Sequence, residues 1–447
     1  MAVTVISNVR TMQCEPPFEV LEGVDVVISG DCIVALGRDA GRDVKADRVI
    51  DGTGKTLIPG NICSHHHYYS GLSRGMLVKA GPQTDFIQVL KEWWWRLDRA
   101  LDEEACYYSS LICSLDAIAA GTTCAVDHHA SPSYIKGSLS TIARGMQEVG
   151  LRGVTCYEVT DRNGGMKEVE EGVEENIRFA QEVDAKKRDG KVMVEAMIGG
   201  HAPFTLPDEA LAMMSDAVKK TGRGIHLHVA EDKYDVVHSH HIYNKDIVQR
   251  LVDHDLLSDR SLLVHALHLS DDEIATINAH DSFLAHNPRS NMNNHVGYLE
   301  RIGKVKNLVL GTDGCGGNMF EEIKIGFFKH KDAGGPMWPA DFLCALNRGA
   351  RLVEKCFNDG RRWGRIEPGY VADLVLLDYH NPTPLVADNA AGHFVWGMSS
   401  GDVHSVIIDG RIVYDGRTFP GIDVDRIYAE AARVARRVWN KVDTISS

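Results

Sequence analysis

The run Leu57-Ile58-Pro59-Gly60-Asn61-Ile62-Cys63-Ser64-His65-His66-His67-Tyr68 decides how this chain folds. Its apolar first half reads as a strand that ends at the histidines. Alternate side chains of a strand share a face, so His65 and His67 point one way and His66 the other. Two neutral imidazoles on one face are half of a metal site. Taken alone, three histidines also suit a solvated loop, and the rest of the chain has to choose between the two.

Outward from that run, amphipathic stretches alternate with short apolar ones. Helices are expected at 85–98, 103–120, 138–149, 168–189, 207–221 and 244–252. Between them, buried strands are expected at 123–127, 152–158, 192–198, 224–229, 262–266, 282–285 and 308–311. With 57–63 these make eight, and strands alternating with helices in that number predict an α/β chain built on a parallel (β/α)8 barrel over 58–363. Short strands at 3–7, 25–28, 32–36 and 48–51 precede it. Strand character returns at 373–378, and 404–408 with 411–414 form a hairpin about Asp409-Gly410. Residues 1–57 and 364–420 are therefore expected to build a small β-sandwich from both chain ends. A helix within 421–447 packs on the body.

Composition narrows the function. The chain has 447 residues, 44% apolar and 25% charged, and a formal net charge of −14. It can bury a large core, and its acidity argues against nucleic acid or an anionic membrane as partner. No 18-residue apolar run and no signal-like start occur, so a cytoplasmic location is expected. The ten cysteines, from Cys14 to Cys356, include no Cys-x-x-Cys pair, which fits reduced thiols better than a zinc knuckle or a disulfide framework.

Barrel enzymes place their chemistry at the C-terminal ends of the strands. Here those ends read His65 and His67; Asp127-His128-His129; His201; His226-Leu227-His228 followed by Glu231; His265; His286; and Gly311-Thr312-Asp313-Gly314. One isolated histidine is usually structural. A series at matching positions points to a site.

These stretches resemble the amidohydrolase superfamily, in its branch of mononuclear zinc aminohydrolases acting on ring amines, and within it the SsnA-type aminohydrolases. The similarity runs from Pro59-Gly60 through Arg74-Gly75, Asp127-His128-His129, His201-Ala202-Pro203, His228-Val229-Ala230-Glu231, His265 and Asp313-Gly314, to Gly369-Tyr370-Val371-Ala372-Asp373. The resemblance implies one Zn2+ per chain, with Fe2+ as the alternative, held by His65, His67, His228 and Asp313. His226 shares the face of His228 by spacing, but the family ligand precedes its glutamate by three residues, as His228 precedes Glu231. The strand at 192–198 lacks the lysine that bridges two metals in binuclear relatives. A zinc-activated water would attack an sp² ring carbon, Glu231 would pass a proton to the ring nitrogen, and His265 and Asp313 would orient the water and take its proton.

Substrate contacts are expected from His201, His129, Arg74 and Trp95. Each has a plainer reading: His201 as a turn cap, His129 as packing between barrel and helix, Arg74 as a surface ion pair. Of Trp93-Trp94-Trp95 at most one or two can reach a pocket, because consecutive residues of a helix face different ways. The departure from relatives at Cys315-Gly316-Gly317-Asn318 bears on substrate identity and leaves the metal set alone. The leading reading is a hydrolytic deaminase of an amino-substituted nitrogen heterocycle such as a purine, pterin or pyrimidine. The same mechanism with sulfide, chloride or an alkylamine as leaving group, or opening of a cyclic amide, is the alternative, and a non-catalytic scaffold is the last. The partners expected are a small heterocyclic substrate and further copies of the chain, as a dimer or tetramer.

Overall fold

The computed structural model describes residues 2–446. Parallel strands Asn61–His66, Thr122–His129, Arg152–Tyr157 and Val194–Ala196 pair in sequence order, as do Ile198–Gly200, Ile225–Val229, Leu262–His265, Phe283–His286 and Leu308–Leu310. The fourth barrel strand is thus split at Met197, the first half pairing backward and the second forward. An isolated parallel bridge between His66 and Asp313 joins first strand to last. Barrel strands buried on both sides are near-continuously apolar, which is why these segments lack alternation. Every residue of Asn61–His66 and of Thr122–His129 is buried.

The run expected as one strand at 57–63 is two. Thr56–Pro59 leaves the barrel and joins an eight-stranded sheet built from both chain ends, pairing with Val3–Met12 on one side and Leu374–Leu377 on the other. Pro59 and Gly60 mark the crossing. Period-two alternation then divides the sheet's side chains between two cores. Leu57, Leu374, Leu376 and Ile407 join a small apolar cluster with Ile6, Val26 and Ile33. Their neighbours Ile58, Val375, Leu377, Val406 and Ile408 belong to the main core with the barrel. The hairpin Val403–Ile408 with Arg411–Asp415 turns at Asp409 and Gly410, both at positive φ (54° and 71°), as the favoured two-residue turn requires.

One buried ion cluster ties barrel to sheet. Arg152, fully buried at the start of the third barrel strand, donates to Asp373 from Nε (2.8 Å) and Nη2 (3.2 Å), and to Asp409 from Nη2 (3.0 Å). Removing the cation strands Asp373 and leaves Asp409 with Arg361 alone, at 3.4 Å. Arg152→Ala is expected to cost about 3–5 kcal/mol, the usual penalty for breaking a buried pair, read as an earlier urea midpoint. A loss below about 1 kcal/mol, the range of surface pairs, would show that the cluster holds nothing together.

The C-terminal helix Val424–Val442 packs on Glu103–Ala119 and on Trp95–Ala100. Trp439 Nε1 donates to the Leu72 carbonyl at 2.8 Å, and Arg96 Nη2 to that of Val442 at 3.0 Å. The helix therefore braces the long connection after the first barrel strand, which bears on the site below. No helix among the described residues is long and apolar enough to cross a membrane.

Candidate metal centre and cavity

Two of the histidines at the strand ends have their tautomers fixed by the backbone. His67 Nδ1 lies 2.7 Å from the His128 carbonyl and His228 Nδ1 2.9 Å from the His201 carbonyl. A carbonyl only accepts, so both Nδ1 atoms carry the proton and both Nε2 lone pairs face inward. The two Nε2 atoms stand 3.2 Å apart. His65 Nδ1 lies 2.8 Å from His226 Nε2, and His226 Nδ1 lies 3.6 Å from Cys156 Sγ. His226 thereby faces away from the cluster and orients His65. His226 Nε2 is thus occupied by His65, while His228 Nε2 stays beside His67 Nε2.

Asp313 closes the group. Its Oδ1 is 2.9 Å from His67 Nε2 and 3.7 Å from His65 Nε2, and its Oδ2 accepts from Ser290 Oγ at 2.5 Å. His65 Nε2 has no hydrogen-bond partner in the protein. Overlapping triples of ligand atoms (His65 with His67 and Asp313, His65 with His228 and His265) each fall within 4.8 Å. Burial holds His65, His226 and His228 well below the usual imidazole range, so they stay neutral, as ligands must. Burial also opposes charge on His67, yet Asp313 beside it pushes that imidazole up to about 9. The field at this point favours a cation. Three imidazoles and a carboxylate with converging lone pairs fit zinc by donor chemistry.

Glu231 and His265 stand beside the ligand group. His265 Nδ1 lies 2.8 Å from Asn291 Oδ1 and so carries the proton, leaving Nε2 toward Glu231 Oε2 (3.4 Å) and Asp313 Oδ2 (3.9 Å). Burial, then the charge of Asp313, pushes the Glu231 carboxyl well above its usual range. An acid so placed can hold a proton at neutral pH and give it up to a substrate. The backbone here is strained: Ala230, His265, Ala266 and Asp313 all have positive φ, from 45° to 70°. Left-handed non-glycine residues of this kind gather at functional sites, where the surrounding structure must hold them.

A cavity of about 200 Å³ opens on His67, His228, Glu231 and Asp313. The connection at 68–97 supplies much of its wall, through Tyr69, Ser70, Phe86, Leu90, Trp94 and Trp95. The helix expected at 85–98 widens into a π-turn at Leu90–Trp94, and both Trp94 and Trp95 reach the cavity. His201 lines it too. Its Nδ1 meets Thr205 Oγ1 at 2.7 Å, so one edge of the ring braces the turn and the other faces the cavity.

Two expected substrate contacts are corrected. Arg74 is 70% exposed, pairs with Asp116 and does not border the cavity. His129 is fully buried but points out of the barrel: strand alternation sends His128 inward, while His129 packs between Ser131 Oγ (2.9 Å) and Cys106 Sγ (3.8 Å) of the covering helix. Three residues were missed. Ser290 and Asn294 come from the helix after the seventh strand, where sequence offered only a polar run. Glu158 directly follows the third strand, Arg152–Tyr157, the position at which the other strands were searched for polar groups.

Residues 56–413 match the model of the Amidohydrolase family. A 5-methylthioadenosine/S-adenosylhomocysteine deaminase of Caldanaerobacter subterraneus is 29% identical over 440 residues, covering 97% of this chain and 98% of the relative. A 5′-deoxyadenosine deaminase of Methanocaldococcus jannaschii is 27% identical, covering 91% and 94%. Among solved structures, a zinc-bound adenosine deaminase of Xanthomonas campestris superposes with a TM-score of 0.83 at 23% identity, covering 99% of each chain. A zinc-bound atrazine chlorohydrolase of Arthrobacter aurescens superposes at 0.78 with 19% identity, covering 97% and 100%. At such identities these two speak for the fold.

Proposed function

The chain belongs to the amidohydrolase family, and from that premise we propose that it hydrolyses an amino-substituted nitrogen heterocycle, releasing ammonia, with one zinc ion held by His65, His67, His228 and Asp313. It is a metal-dependent hydrolase acting on C–N bonds. The observation that carries the deaminase reading is a carboxyl, Glu231, 3.4 Å from His265 Nε2 and beside the converging imidazoles on the wall of a small aromatic cavity. The relatives named as deaminases of adenosine derivatives support it.

Zinc in this ligand set would bring the pKa of a coordinated water toward neutrality and supply a nucleophile that bulk water cannot match. The protein's own groups do the rest. Aromatic side chains hold the ring flat, with the carbon that bears the amine toward Asp313. Asp313 and His265 orient the attacking water and accept its proton. Glu231 gives its proton to the adjacent ring nitrogen, so negative charge does not build up there; the proton held by Asp313 and His265 passes to the exocyclic nitrogen, ammonia departs, and the hydroxyl proton left on the carbon's new oxygen restores Glu231. Asn294 Nδ2, 3.5 Å from Glu231 Oε1, steadies the acid.

Turnover in oxygen-18 water tests this directly. One ammonia is expected per product, with the heavy oxygen at the carbon that lost nitrogen. Chloride or sulfide release would move the enzyme to a different leaving group, and water uptake with nothing released would mean ring opening.

The ten unpaired cysteines suit a reducing compartment, the cytoplasm. Exposed Phe328, Trp338 and Trp396 around the helix Met319–Asp332 suit a homo-oligomer, dimer or tetramer.

A further inference from the structure

Glu158 is a buried carboxylate on the cavity wall, only 4% exposed, and the reaction above gives it nothing to do. It follows the third barrel strand, whereas Glu231 follows the fifth and Asp313 the eighth. A ring that turns its reacting carbon toward Asp313 and Glu231 therefore presents another edge to Glu158. The carboxylate is built in place. Its Oε1 accepts from Arg162 Nη1 at 2.7 Å, and its Oε2 is 3.3 Å from His128 Nδ1. Arg162 is itself buried, pairs also with Asp98, and lies 5.3 Å from the centre of the Trp95 ring. His201 Nε2 stands 3.9 Å from Glu158 Oε1.

A carboxylate has about four lone-pair positions. Arg162 satisfies one on Oε1, whereas His128 donates from Nε2 to the Gly200 and His226 carbonyls and its Nδ1 satisfies none, which leaves about three for a ligand. Acceptor positions held this rigidly would be costly to leave unsatisfied when a substrate displaces water. Among the described residues, the cavity wall carries three carboxylates (Glu158, Glu231 and Asp313) and no lysine or arginine. Its volume, about 200 Å³, is below the range usual for drug-sized ligands.

We propose that Glu158, positioned by Arg162, determines specificity by accepting N–H donors from the edge of the heterocycle away from the reacting carbon. The enzyme is thereby confined to neutral or cationic heterocycles with such a donor, and substrates with a carboxylate or phosphate are turned away. This rests on the heterocycle reading above.

Calorimetry on metal-loaded Glu231→Gln protein, in which turnover is slowed about 10²–10⁴-fold, separates binding from chemistry. The probes are guanine, adenine and cytosine against 9-methylguanine, 9-methyladenine and 1-methylcytosine, with adenosine, 2′,3′-dideoxyadenosine and adenosine 5′-monophosphate alongside. The base bound best is expected to bind about tenfold or more tightly than its N-methyl counterpart, and the monophosphate more weakly than adenosine. Adding Glu158→Gln is expected to reduce the N-methyl discrimination to within about threefold, since an amide has one acceptor atom in place of two. Should the double variant not fold, the two ratios in Glu231→Gln alone still decide. Equal binding of base and N-methyl base overturns the proposal. So do tighter binding of the monophosphate, discrimination that follows the ribose hydroxyls instead, and binding of none of the bases. The expected pattern without ammonia release by the active enzyme would sink the deaminase reading and leave the role of Glu158 standing.

Discussion

Protein carrying His67→Ala is expected to leave purification without metal and without activity, while the unaltered protein retains about one equivalent of zinc or iron by elemental analysis. His67 is the ligand candidate on which the others converge: its Nε2 is 2.9 Å from Asp313 Oδ1 and 3.2 Å from His228 Nε2. Alanine removes one of four donors and takes from Asp313 Oδ1 the imidazole 2.9 Å away. A metal-ligating imidazole is neutral, so the substitution takes away a donor and the geometry of the site and leaves its charge unchanged. Arg74→Ala is the matched control, since an exposed arginine paired with Asp116 should leave metal content and turnover as they were. Two equivalents retained through dialysis of the unaltered protein would overturn the single-metal reading. Full metal retention by His67→Ala would remove His67 from the ligand set.

What sequence could and could not reveal follows the range of the interactions involved. Period-two alternation is local, so the shared face of His65 and His67 and the buried character of the barrel strands were legible in the residues themselves. So was the Asp409-Gly410 turn, because only certain residues tolerate two successive positive φ angles. The transfer of Thr56–Pro59 from barrel to end sheet was not, because it depends on pairing with Leu374–Leu377, more than three hundred residues away. Arg74 looked available until Asp116, 42 residues on, was seen to hold it. Glu158 drew no notice in the sequence, since its burial depends on Arg162 and Asp98 meeting beside Trp95. The π-turn at Leu90–Trp94, which brings two adjacent tryptophans to one cavity, has no counterpart in helical periodicity.

Glu231→Gln is expected to keep the metal and lose about 10²–10⁴ in turnover, the usual worth of a positioned acid or base. Two separate facts argue for this. Its carboxylate oxygens stand 3.4 Å from His265 Nε2 and 3.5 Å from Asn294 Nδ2. It is also pushed well above the carboxylate range by burial and by Asp313, so near neutral pH it can hold the proton that the ring nitrogen must receive. Glutamine fills the same volume and can still accept from Asn294, but it has no proton to transfer, so the change isolates that one function. The loss should appear in kcat with KM little moved, because an interaction needed only in the transition state does not stabilise the bound substrate. His265→Asn should show a similar loss with folding little changed, its ring being held by Asn291 and directed at both carboxylates. Metal-free Glu231→Gln protein would instead make Glu231 a ligand, and a purely KM effect would make it a binding group; either result removes the proton-transfer role.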